Sequence, residues 1–453
     1  MMSAPGKFFH QPQVANHVAD VERRYGFVKQ SMTSWVGSSV TAFLEDSQIT
    51  ALLSDPQVQQ VSQDTYSSLS APMPWNDFNT GAEIYGWSRT AVNGKSASPY
   101  STRKIYVIDS GVAHHTDFSS NQVVRTNVHC GSAGGCEYEI PAYWSTTPYP
   151  AVGCYGHAAH VAGIIAAPIN NTGVAGVYAG AKLISLNVTN VLGNASNAEL
   201  CTSPFTITQT SVGNALDYVM VQTLYDTQMA VVNISINSAG MGITSSSIPE
   251  PNWSKVRNLA SPVYRYDVGR QYYGAFVAQS AGNGARPVVG GSEPTVGSDA
   301  CFWNSNGAPV AYKPLAHAPY SVDDDGIMVV GAVNQSANAA NPFTAPSAST
   351  NVPTPAPTNY GRCVDIWAPG DAIYSLWGAI PYSAYANQTY SNVVRLSGTS
   401  MAAPHVAAAA AYIADVEGLS TPANVEQRIR QLSQRFANTV DQSALPIMIL
   451  QLP

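Results

Sequence analysis

The sequence predicts an α/β protein: a mostly parallel β-sheet flanked by helices in three layers, preceded by a small α+β domain. Three observations carry this. From Arg103 onward, short apolar runs ("KIYVID", "AKLISLNV", "MAVVNISI", "YGAFVAQSAG", "GIMVVGAV") alternate with helical stretches such as "GHAAHVAGIIAA" and "VGNALDYVMVQTLYDTQ". Runs that are apolar throughout are buried on both faces, and a helix between successive strands is what a parallel connection requires. The first 64 residues lack this pattern. The 453 residues, 45% apolar and 9% aromatic, suffice for one large core plus an accessory domain.

In chain order, "ANHVADVERRYG" has helical spacing and "FVKQSMTSWVGSSVTAFL" reads as two extended segments around a Gly-Ser turn. "DSQITALLSD" is a short capped helix and "PQVQQVSQD" a strand. "SSLSAPMPWND" has no period and reads as a linker. The domains expected are therefore 1–64, a linker at 65–75, and 76–453. In a parallel sheet the ligand site lies at the carboxyl ends of the strands. "RLSGTSMAAPHVAAAAAYIAD", Arg395 to Asp415, is a helix of nearly pure alanine that opens with Gly-Thr-Ser and carries Pro404. Pro404 is expected in its first turn, where a missing N–H costs nothing.

Only 11% of residues are charged, and the net charge of -7 leaves no basic field for a polyanion, so nucleic acid is excluded as a partner. No apolar run approaches the roughly 18 residues of a membrane span. The six cysteines, at 130, 136, 154, 201, 301 and 363, form no CxxC pair and read as disulfides, with fifteen connectivities open. Sequons at Asn170, Asn187, Asn194, Asn233, Asn252, Asn334 and Asn387 suggest a glycosylated, secreted protein, although an Asn/Ser/Thr-rich chain produces several by chance. The start "MMSAPGKFFHQPQ" has no apolar stretch of signal-peptide length.

Asp109 ends the strand Ile105–Ile108, His157 opens the helix after Gly156, and Ser400 opens the alanine helix. An acid, an imidazole and a hydroxyl at strand ends and helix starts of one sheet meet the needs of nucleophilic acyl transfer: the imidazole takes the hydroxyl proton and the acid orients the imidazole. A helix N-terminus also favours charge developing at Ser400. His160 and His405 read as satisfied histidines of inner helices, and His114 and His115 as exposed loop residues.

At these residues the chain resembles the subtilisin-like serine peptidases, on the proteinase K side. The resemblance rests on "VIDSGV", "GHAAHVAG", "SAGN", "NYGRCVDIWAPGDAIYS" and "SGTSMAAPHVA", in blocks covering about 103 to 430. It implies a secreted, monomeric endopeptidase with Ser400 as nucleophile, His157 as general base, Asp109 as its orienter and Asn283 as side-chain oxyanion donor. It further implies substrate contacts at Ser235, Ile236, Asn237, Ser280, Ala281 and Gly282, and apolar or aromatic side chains before the cut. Residues 1–64 look like the family's inhibitory propeptide, with a maturation cut within about 65–72 and a mature start at "APMPW". No cofactor is needed for the chemistry. Asp117, the Asn170 to Gly173 loop and Asp365 resemble places where relatives hold calcium with oxygen ligands.

The chain also departs from the pattern. Ala158-Ala159 replaces Gly-Thr, "SINS" at Ser235 to Ser238 replaces Ser-Leu-Gly-Gly, and Pro249 to Tyr273 and Gly284 to Pro319 are lengthened. Two other functions stay open on this sequence: a non-catalytic binding protein on the same fold, and a peptide ligase that gives the acyl group to an amine.

Overall fold

The N-terminal region contains α1 (Pro12–Tyr25), β1 (Lys29–Thr33), β2 (Ser39–Ala42) and α2 (Asp46–Leu53), with the two strands antiparallel. Proline opens α1, where no donor is lost, and Gly26 closes it with φ 70°, the left-handed conformation glycine adopts without penalty. Val21, Phe27 and Leu52 bury a small core between helices and hairpin. The chain then enters β3 (Tyr66–Ser68). The structure, a computed structural model, describes residues 11–59, 61, 66–68, 82–98, 101–112, 115–128, 156–189, 207–224, 226–238, 253–265, 269–283, 287–288, 302–303, 309–310, 324–335, 358, 360–361, 364–377, 392–436 and 447–453.

Beyond β3, in chain order, lie β4 (Ile105–Asp109), β5 (Val123–Asn127), α3 (His157–Ala166), β6 (Leu183–Asn187), β7 (Ile207–Thr208), α4 (Gln209–Thr223), β8 (Ala230–Ile234), β9 (Asn237–Ser238), α5 (Trp253–Ala260) and β10 (Ala275–Ser280). They are followed by β11 (Ile327–Val333), β12 (Ile366–Pro369), β13 (Ile373–Trp377), β14 (Asn392–Leu396), α6 (Thr399–Glu417), α7 (Pro422–Leu432), β15 (Gln434–Phe436) and β16 (Ile447–Ile449). Nine of these strands make one sheet, in the order β15-β16-β12-β11-β10-β8-β4-β6-β5. Neighbours are parallel from β5 to β16, and only the edge strand β15 runs antiparallel. The predicted runs "KIYVID", "AKLISLNV", "MAVVNISI", "YGAFVAQSAG" and "GIMVVGAV" are its central strands.

The sheet separates two cores. On one face Val107, Ala278 and Met328 pack with α3, α6 and α7; on the other, Ile108, Val232 and Val277 pack with α4 and α5. Every residue from Thr399 to Ala411 of α6 is buried, so alanine is needed on all sides to let the helix lie against sheet and α3 together. Gly163 of α3 has the same cause: a Cβ there would sit 2.3 Å from Ser375 Oγ of β13.

Several sequence expectations are corrected. "PQVQQVSQD" is not a strand in its described residues: Asp55 accepts hydrogen bonds from the N–H groups of Gln57 (2.8 Å, side chain) and Val58 (3.0 Å, carbonyl), turning the chain. The strand forms later, at Tyr66–Ser68, inside the segment assigned as linker, because β7 and β9 offer it edges on both sides. Pro404 is not in the first turn, since α6 begins at Thr399. Its missing N–H leaves the Ser400 carbonyl without its intrahelical donor, and the Ser235 hydroxyl supplies one at 2.9 Å. The lengthened stretch after Pro249 contributes α5 and an antiparallel hairpin, Val263–Arg265 with Arg270–Tyr272. All six cysteines, His114, the "NPFTAPSASTNVPTPAPTN" connection except Thr358, and most of Gly284 to Pro319 lie outside the described residues.

Candidate active site

Asp109, His157 and Ser400 come from β4, α3 and α6, and all three are wholly buried or nearly so. The register sets Asp109 at the carboxyl end of its strand, opposite Asn187 of β6, with Ser110 N–H donating to Asp109 Oδ1 at 2.6 Å. His157 is the first residue of α3, and its Nδ1 lies 2.9 Å from each Asp109 carboxylate oxygen. A carboxylate accepts only, so Nδ1 carries the proton and Nε2 holds the lone pair. Nε2 is buried and has no hydrogen-bond partner among the described residues. That is a base without its proton donor.

Ser400 Oγ donates instead to the Ser235 carbonyl at 3.1 Å. The exchange is reciprocal, because Ser235 Oγ donates to the Ser400 carbonyl, while Asn233 Nδ2 donates to Ser235 Oγ at 3.0 Å. Ser235 is therefore more than an edge residue. It completes the backbone of the helix that carries Ser400, a role the sequence hides because Pro404, which creates the need, lies 169 positions away (404 − 235).

Asn283 lies just beyond β10. Thr399 N–H donates to its Oδ1 at 2.8 Å, and Thr399 Oγ1 lies 2.9 Å from the same atom. A backbone N–H can only donate, so the atom it meets is the oxygen, and Nδ2 is the end turned to Gly398. A Cβ on Gly398, whose φ is +151°, would lie 3.1 Å from Asn283 Nδ2. Thr399 Oγ1 also accepts from Gly282 N–H at 3.0 Å, tying the loop after β10 to the start of α6. Thr399 thus orients Asn283, and sequence reading missed it although it stands in the quoted "SGTSMAAPHVA".

The other predicted contact residues divide. The side chains of Ser235, Ile236, Ser280 and Ala281 are buried, Ile236 in the α4–α5 core. The main chain at Asn237 and Ser238 is the part that meets another segment: it pairs antiparallel with β3, Asn237 opposite Ser68 and Ser238 opposite Ser67. Ala158 and Ala159, in place of Gly-Thr, are fully buried in α3.

Four surrounding assignments change. His115 is buried and accepts Asp117 N–H at its Nδ1. Asn187 and Asn233 are buried, so a glycan at either sequon is incompatible with this fold. Asp365 pairs with the Arg430 guanidinium at 3.1 Å and stands apart from Asp117. Asp117 does meet the Asn170 to Gly173 loop, but hydrogens face it: Asn170 Nδ2 at 2.8 Å, Val174 N–H at 3.1 Å and Thr172 Oγ1 at 3.4 Å. A Cβ on Gly173 would fall 2.2 Å from Asp117 Oδ2, and no group of three or more His, Cys, Asp or Glu that could hold a metal ion occurs among the described residues. These residues do not fit a cation. Burial pushes the Asp117 carboxyl up to about 6, against the loop's hydrogen bonds, which favour its charge.

His160 and His405 are fully buried; His160 Nε2 lies 3.0 Å from the Ile373 carbonyl of β13 and His405 Nδ1 2.8 Å from the Met401 carbonyl, and His405 Nε2 has no partner among the described residues. Desolvation lowers them from 6.5 to about 3 and about 4. Because the folded values lie below the unfolded one, their stability contribution is complete above pH 6.5 and declines as pH falls toward those folded values. Acid unfolding is therefore expected to begin below pH 6.5, with each histidine costing about 2 kcal/mol by pH 5. Denaturant titrations at pH 7 and pH 5 on wild type and His405→Gln measure this, and the substitution should remove about 2 kcal/mol of the loss between the two.

Fold and site together define an α/β protein with an Asp-His-Ser constellation at the carboxyl edge of a parallel sheet. The chain belongs to the subtilase family, whose model matches residues 101–444. Among its relatives, "Alkaline protease 1" of Aspergillus clavatus is 40% identical over 126 residues, 26% of this chain and 29% of that protein. "Subtilisin-like protease 2" of Trichophyton verrucosum is 37% identical over 131 residues, 27% of this chain and 29% of that protein. The match thus spans under a third of these fungal relatives. "Thermostable alkaline protease" of Halalkalibacterium halodurans is 25% identical over 395 residues, 86% of this chain and 76% of that protein. No described helix is long and apolar enough to cross a membrane.

Proposed function

We propose that the protein is a secreted serine endopeptidase, made with an N-terminal inhibitory unit that it removes itself. The observation that carries this is the buried His157, oriented by Asp109 through Nδ1 with its Nε2 lone pair unused among the described residues, on a helix that packs in one core with the helix presenting Ser400. In the reaction Ser400 Oγ leaves the Ser235 carbonyl, gives its proton to Nε2 and attacks a peptide carbonyl. The tetrahedral oxyanion draws on Asn283 Nδ2 and the Ser400 N–H in the first turn of α6. His157 then returns the proton to the departing amine, and water releases the acyl group by the same steps in reverse. Asn283→Leu is expected to lower kcat by about 10²–10³ with little change in KM, read by steady-state hydrolysis of a peptide substrate.

The pairing of β3 with β9 supports the inhibitory reading, since an antiparallel segment on that edge lies as a substrate would. The expected cut is Ser70–Ala71, within the 65–72 window and at the start of "APMPW". Serine before the cut departs from the apolar residue the resemblance implies. Intact mass and amino-terminal sequencing after incubation at neutral pH test the proposal: wild type should gain an N-terminus at Ala71, and Ser400→Ala should not. A chain that stays whole in both supports a second reading, a binding protein, which the engagement of Ser400 Oγ with Ser235 favours; such a protein would also resist an organophosphonate that labels activated serines.

A further inference from the structure

Gln279 lies next to the end of β10 and is 1% exposed. Alternation along the strand puts its side chain after Val277 on the α4–α5 face, and the register sets Ile234 of β8 and Val329 of β11 at its level on either side. These neighbours are all apolar. Neither Nε2 nor Oε1 of Gln279 has a hydrogen-bond partner among the described residues. A primary amide carries two donors and an acceptor, and folded proteins rarely leave such a group buried and unpaired unless a ligand or a water meets it. Its place in the sheet points to the ligand. Ile234 and Gln279 are the last pair that joins β8 to β10. Beyond them the two chains part. One runs through Ser235, whose carbonyl holds Ser400 Oγ, and goes on to pair with β3 at Asn237 and Ser238. The other is tied to Thr399 of α6 through Gly282 N–H and Asn283 Oδ1. Gln279 therefore stands at the base of a fork between two diverging parallel strands, one residue short of the level of Ser235, at the carboxyl ends where such sheets bind ligands.

We propose that Gln279 is a specificity-determining residue for the substrate side chain before the cut, and that it selects a neutral hydrogen-bonding side chain, glutamine above all. The proposal rests on the reading of the protein as an endopeptidase. Ser400 attacks the carbonyl of the residue before the cut, so the side chain of that residue is the one brought to the fork beside Ser235. Two primary amides pair reciprocally, each donating N–H to the oxygen of the other. Methionine, of the same length, fills the same space but leaves the Gln279 amide unpaired, which is the costly outcome. A carboxylate or an ammonium is refused for another reason: the apolar residues at this level supply no opposite charge to replace its water. One residue thus reverses the apolar preference that the resemblance implies. Ser70, before the expected cut, is itself a neutral hydrogen-bonding residue.

Steady-state hydrolysis of a chromogenic peptide series that differs only in the residue before the cut, as glutamine, methionine, leucine or glutamate, tests the assignment. In wild type, kcat/KM is expected to be about 10–100-fold higher for glutamine than for methionine, with glutamate the poorest. Gln279→Leu should bring the glutamine-to-methionine ratio to one or below, while the leucine peptide is cut within about tenfold of its wild-type rate or faster and the melting temperature does not fall. A wild type that prefers methionine or leucine overturns the proposal, and so does a Gln279→Leu protein that keeps the wild-type ratio. The first of these comparisons needs no variant, so it decides the matter even where the substituted chain fails to fold. Cleavage of the series with the wrong preference removes this inference alone. A wild type that cuts none of the peptides and takes no organophosphonate label removes the endopeptidase reading, and this inference with it.

Discussion

Replacing Ser400 with alanine is expected to reduce peptide hydrolysis on the order of 10⁴–10⁶-fold, with the protein still folded. Among the described residues the side chain lost makes one hydrogen bond, to the Ser235 carbonyl, and the site is in the first turn of a helix already built of alanine. Losing that bond costs about 1 kcal/mol and the gain in helix propensity returns roughly half, so the melting temperature should shift by only a few degrees. What disappears is the hydroxyl that this reading makes the acyl acceptor served by His157. Activity on a peptide substrate, melting temperature and organophosphonate labelling are the three measurements. Loss of activity and labelling in a stable protein is the expected combination; activity within tenfold of wild type would remove Ser400 from the mechanism.

The second large effect is expected from Asp109→Asn, about 10⁴-fold in kcat with KM little changed. Its cause follows from the hydrogen bonds around the carboxylate. Ser110 N–H donates to Oδ1, so the asparagine must keep its oxygen there and turn its NH₂ to the position of Oδ2, facing His157 Nδ1. Nδ1 then has to accept, the proton moves to Nε2, and the ring presents N–H where the reaction needs a lone pair. The size and shape of the site are unchanged, which separates this outcome from unfolding. The pH dependence of kcat and the ¹⁵N shifts of the His157 ring report the tautomer directly. A variant with wild-type ring shifts and near-normal turnover would refute the role given to Asp109.

Much of this site was legible because its chemistry is carried by short local motifs. Asp109 after four apolar residues, His157 after a glycine and Ser400 after Gly-Thr announce their positions, since a strand end and a helix start are set by neighbours in the chain. The central strands were legible for the same reason: continuous burial on two faces leaves a continuous apolar run. Less was visible at the edges. The turn at Asp55 overrode a strand pattern because one carboxylate offered the local main chain a closer acceptor than any edge, and Tyr66–Ser68 became a strand only because β7 and β9 came together on either side of it.

Sequence alone determined the class of fold, the order of acid, base and nucleophile, and the alanine composition that lets α6 pass through the core. Tertiary structure alone decided which groups answer which: Ser235 completing the backbone opened by Pro404, Thr399 turning the Asn283 amide, and Asp217 gathering the amides of Ser34 to Val36. The physical reason is common to all three. Each is a hydrogen-bonding need created at one point of the chain and met by a residue more than 100 positions away, and a buried polar group fixes the chemistry of its partner but not its place in the sequence.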